Sequence, residues 1–271
     1  MELPNTLKLF VPTLKTITRK PRGREAKSNT MSFTLPSIDK KTLNRYLSTL
    51  GLRQDLVPLS FFYLFAQRAH IAQMIAPDFP YPLLGIVHVS NEMEYLSDVD
   101  LDKSIEIISS LNQDENLIIF NVVFKQNGKE IIKCVSHYLI AKAKNKKKQS
   151  NSTSLVLEKE FDFLSEIEVS GADGRNYAIA SGDFNFIHLH PFLAKLFGFR
   201  TSIIHGMFMA AKVNGILEES LARRVNYFQI NFKKPIFLPS KVTLENNKDS
   251  FRVTSKSGER LHLHGSFRAI S

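Results

Sequence analysis

Three polar side chains in one short segment have the types needed for acid–base chemistry on a bound water molecule. Asp183, Asn185 and His188 lie within six residues, in the sequence SGDFNFIH. On an α-helix, the five-residue spacing of Asp183 and His188 would turn about 140° and separate their faces. The segment is therefore predicted to turn, and Gly182 and Asn185 both tolerate the backbone angles of a turn. A carboxylate and an imidazole on such a turn could both hydrogen-bond one water molecule. Positioned acid–base groups of this kind typically increase a reaction rate by about 10²–10⁴-fold.

A second group, His205 and Gly206, precedes the apolar run MFMAAKVNGILEES, whose spacing predicts a helix over 206–220. The first N–H groups of a helix have no intrahelical acceptor and lie at its positive end. Because Gly206 has no side chain, a carbonyl oxygen could dock on its N–H. Proton transfer beside a polarised carbonyl is the chemistry of adding or removing water across an α,β-unsaturated carbonyl. The polar residues could instead cap helices, and their types and spacing alone do not decide between the two hypotheses.

The stretch that contains these residues resembles the signature of the MaoC-like, (R)-specific enoyl-thioester hydratases and dehydratases. That signature has an aromatic residue, S-G-D-x-N-P-[IL]-H and a small residue; the matching positions are Tyr177, Ser181, Gly182, Asp183, Asn185, Ile187, His188 and Ala194. A later family element, G-F-x-x-x-I-x-H-G-M, is matched by Gly198, Phe199, Ile203, His205, Gly206 and Met207. The sequence departs from the pattern where the family proline is Phe186, and it has a second imidazole at His190.

The resemblance implies reversible hydration of trans-2-enoyl thioesters to (R)-3-hydroxyacyl thioesters, carried on coenzyme A or on an acyl carrier protein. It implies that Asp183 and His188 activate the water and that the Gly206 N–H polarises the thioester carbonyl. Asn185, His205, Met207 and Asn214 are then expected to contact the substrate, with Asn214 standing where some relatives have serine. No metal or redox cofactor is required. Phe186 motivates an alternative hypothesis, a non-catalytic protein that binds acyl thioesters.

The elements that must position this site repeat once along the chain. In each half an apolar helix, predicted over 58–76 and 206–220, precedes strands of alternating polarity, and Asn127-Gly128 predicts a hairpin. With the resemblance, this predicts an α+β double hot-dog fold in which each unit wraps an antiparallel sheet around a long helix. The predicted parts are a basic arm (1–30), a first unit (31–143), a lysine- and serine-rich linker (144–154) and a catalytic unit (155–271). The first unit is expected to lack the motif, because Ser60 stands five residues after Asp55.

The net charge of +10 is confined to two segments of the 271-residue chain. Residues 1–27 hold seven basic and two acidic residues, and 142–148 hold five lysines. A basic run is usually a solvated segment, although it could attract an anionic substrate or carrier. No nucleic-acid-binding motif accompanies the charge, so nucleic acid is not an expected partner. Whether the fused halves pair further into a homodimer stays open.

Other features favour a cytoplasmic protein with no membrane span. The single cysteine, Cys134, cannot form an internal disulfide and is expected to be a core thiol. No apolar run reaches the length of about 18 residues needed to cross a bilayer, and the N-terminus does not resemble a secretory signal. His262 and His264 form an H-x-H pair, which is expected to lie on an exposed strand face rather than bind a metal. Gly171 and Gly174 are expected to interrupt regular structure ahead of the motif.

Overall fold

The computed structural model describes residues 1–19, 25–83, 86–140 and 160–270. Within it the chain divides into two compact units, Met1–Asp39 with Phe62–Asn145, and Lys40–Phe61 with Lys146–Ser271. This division differs from the predicted boundaries, because residues 1–19 and 25–30 group with the first unit and residues 40–61 with the second. The predicted linker over 144–154 lies outside the described residues.

The first unit is an antiparallel sheet with a long helix against it. Its strands are β1 (Asn29–Leu35), β2 (Ile86–Tyr95), β3 (Ile105–Asp114), β4 (Leu117–Gln126) and β5 (Lys129–Ile140), ordered β1-β3-β4-β5-β2. Helix α3 (Leu59–Met74) contributes residues 62–74 to this unit. Its Phe62 meets Phe124 edge-on at 6.0 Å between ring centroids, and its His70 stacks on Phe120 at 4.2 Å. Cys134 is buried in the same unit, as expected for a core thiol.

The N-terminal residues pack into the first unit instead of forming a free arm. Helix α1 (Thr6–Lys15) buries Leu9, and Leu3 is buried just before it. The guanidinium of Arg19 donates to the carbonyls of Met74, Ile75 and Ala76 at 2.8–3.2 Å. Met74 is the last residue of α3, and Ile75 and Ala76 follow it directly, so these carbonyls lie at the end of the helix, where they have no donor within it. At least one of the arm's positive charges is therefore structural.

The second unit repeats the arrangement with additional helices. Its strands are β6 (Asp162–Val169), β7 (Arg224–Phe232), β8 (Ser240–Asn247), β9 (Ser250–Ser255) and β10 (Leu261–Ile270), ordered β7-β10-β9-β8-β6 and antiparallel throughout. Its helices are α2 (Lys40–Leu50), α4 (Gly171–Ser181), α5 (Phe186–Leu189), α6 (Pro191–Leu196) and α7 (Gly206–Leu221). Helix α7 is the long central helix, and most of its first two turns is buried. No helix in the described part of the chain has the length and apolarity to cross a membrane.

Candidate active site

Helix α4 ends directly before Asp183 and so positions the start of the site. A capping box starts it: Ser170 Oγ accepts from the Asp173 N–H at 3.4 Å, and the Asp173 carboxylate accepts from the Ser170 N–H at 2.7 Å. The helix ends at Gly182, whose φ of +80° is left-handed and favours glycine. The expectation that Gly171 and Gly174 interrupt regular structure is wrong, since both lie inside α4. A Cβ on Gly174 would lie 2.9 Å from the carbonyl oxygen of His188, so this glycine lets α4 approach α5 closely.

A tight turn joins α4 to α5 and contains the predicted acid. Ser181 Oγ accepts from the Asp183 N–H at 3.1 Å, and Asp183 Oδ1 accepts from the Asn185 N–H at 3.2 Å. Asn185 then caps α5, because its side chain accepts from the N–H of Ile187. The turn predicted between Asp183 and His188 is therefore present, and side-chain oxygens form it. Phe186, at the family proline, is the first residue of α5.

Two histidines lie against each other beside the turn. His188 Nδ1 lies 2.9 Å from the carbonyl oxygen of Ile203, and His205 Nε2 lies 3.0 Å from the main-chain oxygen of Asp183. A carbonyl only accepts, so each of these nitrogens carries the proton and donates it. In the neutral rings the second nitrogen of each, Nε2 of His188 and Nδ1 of His205, holds a lone pair. The rings stack with centroids 3.8 Å apart.

Burial keeps both imidazoles neutral. It lowers the pKa of His188, while the Asp183 charge and the bond to Ile203 raise it by smaller amounts. Burial and the neighbouring His188 lower the pKa of His205 to about 3. His188 therefore presents an unprotonated Nε2 at neutral pH, which suits a group that accepts a proton from water.

The structure brings together three of the predicted site residues. One ligand atom from each of Asp183, His188 and His205 lies within 4.8 Å of the others. A carboxylate and two imidazoles at this separation could hold a water molecule, and this donor set also suits a divalent cation. The absence of a metal requirement therefore stays an expectation.

The N-terminus of α7 begins directly after His205. The side chain of His205 does not cap α7, and the first N–H groups of this helix have no acceptor within it. A Cβ on Gly206 would lie 2.9–3.1 Å from the ring of Phe232, so glycine allows this ring to pack over the helix start. Met207 is buried one residue further on. This arrangement leaves main-chain donors that a carbonyl oxygen could use.

Asn214 lies away from this cluster, although it is buried on the same helix. Eight residues of helix separate it from Gly206, a distance of about 12 Å along the axis. Its side chain lies beside Glu218, whose pKa it lowers, but burial has the larger effect and raises that pKa to about 6. Sequence reasoning had not singled out Glu218.

Tyr177 adjoins His205 and Tyr46 adjoins Tyr177, and of these two tyrosines only Tyr177 had been matched to the family signature from the sequence. The ring of Tyr177, on α4, lies 4.9 Å from that of His205 and 6.2 Å from that of Tyr46. Tyr46 belongs to α2, which comes from the first half of the sequence and packs in the second unit. The sequence feature that could have identified Tyr46 is the apolar face of α2, where Tyr46 is buried with Leu43 and Leu47.

Other polar groups raised by the sequence do not form a second site. Asp55 is exposed and pairs with Arg53, Nε to Oδ1 at 3.0 Å. The prediction that His262 lies on an exposed strand face is wrong, since it is buried and its Nδ1 donates to the Lys234 carbonyl at 3.2 Å. Burial lowers the pKa of its neighbour His264 to about 4. In the described ranges no third ligand accompanies these two histidines.

Comparison with known proteins identifies relatives of most of the chain and of the segment that contains the site. Residues 152–262 match the family model described as a MaoC like domain. The 3-hydroxyacyl-thioester dehydratase X of Mycobacterium tuberculosis is 25% identical over 226 residues, which are 81% of this chain and 80% of that protein. The (R)-specific enoyl-CoA hydratase of Aeromonas caviae is 35% identical over 72 residues, 26% of this chain and 54% of that enzyme.

Solved structures share the fold. The crystal structure of HtdX of Mycobacterium tuberculosis superposes with a TM-score of 0.72 at 23% identity, covering 89% of this chain and all of that chain. The likeness extends over both units, each a long helix on an antiparallel sheet. The predicted α+β double hot-dog fold is confirmed.

Proposed function

We propose that the protein adds water to trans-2-enoyl thioesters and removes it from (R)-3-hydroxyacyl thioesters, because the chain belongs to the MaoC-like dehydratase family. The observation that carries the assignment of the site is the pairing of Asp183 with a neutral His188, five positions apart across a turn. Coenzyme A or an acyl carrier protein carries the acyl group.

The turnover follows from the positions of these groups. Water sits between the Asp183 carboxylate and Nε2 of His188, both of which accept its protons. In the hydration direction its oxygen attacks C3 of the enoyl thioester as the pair withdraws one proton. The pair also supplies one proton to C2, so it ends the turnover in its starting state. Because the ligand atoms of Asp183 and His188 lie within 4.8 Å of each other, the pair delivers water and proton from one side, and both add to the same face.

The start of α7 stabilises the charge that develops during the reaction. Attack at C3 moves electron density onto the thioester carbonyl oxygen. The N–H of Gly206 donates to this oxygen, and the positive end of the α7 dipole lies behind it. Removal of a donor of this kind commonly costs about 10²–10³ in rate. His205 has a positioning role, since its Nε2–H holds the main chain of Asp183.

Substitutions that keep the local hydrogen bonds test the assignment. Asp183→Asn retains an oxygen that accepts from the Asn185 N–H but removes the charge. His188→Asn retains an N–H for the Ile203 carbonyl but has no counterpart of Nε2. Each is expected to lower kcat on crotonyl-CoA by about 10²–10⁴-fold, with unchanged circular dichroism and Tm. His190→Asn, which retains an α6 cap at an exposed histidine, is the matched control.

The assay follows the loss of enoyl-thioester absorbance. Absence of turnover by the unsubstituted protein on short, medium and long enoyl groups, on both coenzyme A and carrier protein, would refute the proposed function. Binding of the thioesters without turnover, insensitive to Asp183→Asn, would instead identify a non-catalytic acyl-thioester-binding protein.

A further inference from the structure

Helix α6 exposes large apolar side chains immediately after the catalytic turn. Phe192 and Leu196 are 63% and 66% exposed, and Phe197, the next residue, is 37% exposed. Phe192 and Leu196 are four residues apart and share one face of the helix. The opposite side is anchored by Ala194, which is completely buried. Exposed apolar groups clustered in this way mark surfaces that bind a partner.

The position of this surface ties it to the reaction. Phe192 is four residues from His188, which limits their Cα separation to about 14 Å. The six residues of α6 extend about 9 Å further. Helices α5 and α6 pack against each other, so the surface is held beside the catalytic imidazole. A partner seated there would lie within reach of the site by a short flexible arm.

The charge of the surface selects the kind of partner. The sequence has no acidic residue between Asp183 and Glu218. Lys195 is exposed between Phe192 and Leu196, and the exposed Arg200 lies with its guanidinium 4.2 Å from the centre of the Phe237 ring. A complementary partner is therefore acidic and offers apolar side chains of its own.

We propose that the α6 surface, formed by Phe192, Lys195, Leu196 and Phe197, docks an acidic acyl carrier protein that delivers the thioester. This inference rests on the proposed function and makes a carrier-bound acyl group the substrate. Coenzyme A offers phosphates to Lys195 but cannot also cover three large apolar side chains spread over more than one helical turn. A small helical carrier provides both contacts, and its prosthetic arm carries the enoyl group to Asp183 and His188.

The test compares two substrates that differ only in the carrier. We expect kcat/KM to be higher for the crotonyl thioester of a type II acyl carrier protein than for crotonyl-CoA. Phe192→Asp and Leu196→Asp are each expected to lower kcat/KM about tenfold or more on the carrier thioester, through KM, as for buried anchors of interfaces. On crotonyl-CoA the same variants retain kcat/KM within about twofold, because no catalytic group is changed.

Matched variants separate docking from general effects. Phe163→Asp removes an equally exposed apolar ring (67%) on β6 and is expected to affect neither substrate. Lys195→Glu is expected to weaken use of the carrier thioester and to reduce the salt dependence of its kcat/KM, since the lost contact is electrostatic.

Three results would overturn docking: a preference of the unsubstituted protein for crotonyl-CoA, equal loss on both substrates, or no loss on either. Conversion of a dimer to a monomer by Phe192→Asp, with loss on both substrates, would assign the surface to a second copy of this chain. If neither thioester is turned over, the proposed function is refuted, while the docking proposal is not yet decided. Docking is then decided by fluorescence anisotropy of labelled crotonyl-carrier: weaker binding by Phe192→Asp supports it, and equal binding refutes it.

Discussion

Glu218 is a buried carboxylic acid on α7, and replacing it with glutamine should make the protein more resistant to unfolding at alkaline pH. The residue is 4% exposed, and its Oε1 accepts from the Val225 N–H at 3.0 Å. Burial raises its pKa from 4.5 to about 6, although the Val225 N–H, Asn214, Arg224 and Arg53 all act to lower it. Glutamine retains an oxygen for the Val225 N–H and carries no charge.

The direction of the pH effect on stability depends on whether the folded or the unfolded protein holds the Glu218 proton more tightly. The folded protein holds the Glu218 proton up to about pH 6, whereas the unfolded chain releases it near 4.5. As pH rises through this window, ionisation favours the unfolded chain. At about 1.4 kcal/mol per pH unit, the full loss of unfolding free energy is about 2 kcal/mol, of which slightly less than half is already present at pH 5. Glu218→Gln removes this loss.

Urea denaturation followed by circular dichroism at pH 5 and pH 8 measures the effect. The difference in unfolding free energy between Glu218→Gln and the unsubstituted protein should increase by about 1 kcal/mol in favour of the variant from pH 5 to pH 8. Because the variant and the unsubstituted protein contain the same histidines, the contribution of histidine titration cancels in the difference at each pH. Glu219→Gln, at the exposed next residue, controls for removal of one negative charge from the same turn. A pH-independent difference, or one that increases toward pH 5, would refute the reasoning.

Two further predictions concern the catalytic turn. Gly174→Ala should lower kcat about tenfold or more in a steady-state assay, because the new methyl group would lie 2.9 Å from the His188 carbonyl oxygen and must displace α5. Gly171→Ala is the control in the same assay, because its methyl group would contact only the flexible end of the Arg175 side chain. The acid limb of kcat/KM should have its midpoint below pH 6.5, because burial lowers the pKa of His188 and only the neutral ring accepts a proton from water. A midpoint above 6.5 would contradict the lowered pKa of His188, and a loss of kcat/KM as pH rises through this range would show that His188 acts as the protonated acid in the free protein.

Local signals were enough to predict the long elements. The helices predicted over 58–76 and 206–220 are Leu59–Met74 and Gly206–Leu221. Their apolar runs are long, and Pro58 adds a start signal for the first of them. The Asn127-Gly128 hairpin is confirmed, since both residues adopt positive φ, as the two-residue turn requires.

Contacts between distant parts of the chain could not be predicted in the same way. Tyr46 packs beside the Tyr177–His205 pair although more than 130 residues separate it from them, and no periodicity reports such a contact. The acceptor for His188 is the main-chain oxygen of Ile203, which any residue type would supply. Helix α4 was missed for a different reason. Its two glycines suggested a break, but Ser170 and Asp173 have the S-x-x-D spacing of a capping box, a signal that was available.

Phe186 stands where the family signature has proline, a residue that would make the catalytic turn more rigid. In the structure Phe186 is the first residue of α5, a position that suits proline because the N–H there needs no helical partner. The turn itself is made by neighbours on either side, where Asp183 accepts from the Asn185 N–H and Asn185 accepts from the Ile187 N–H. Since none of these bonds involves residue 186, proline at this position would stiffen the turn without forming it. The geometry of Asp183 and His188 therefore depends on Asn185 more than on the residue that follows it.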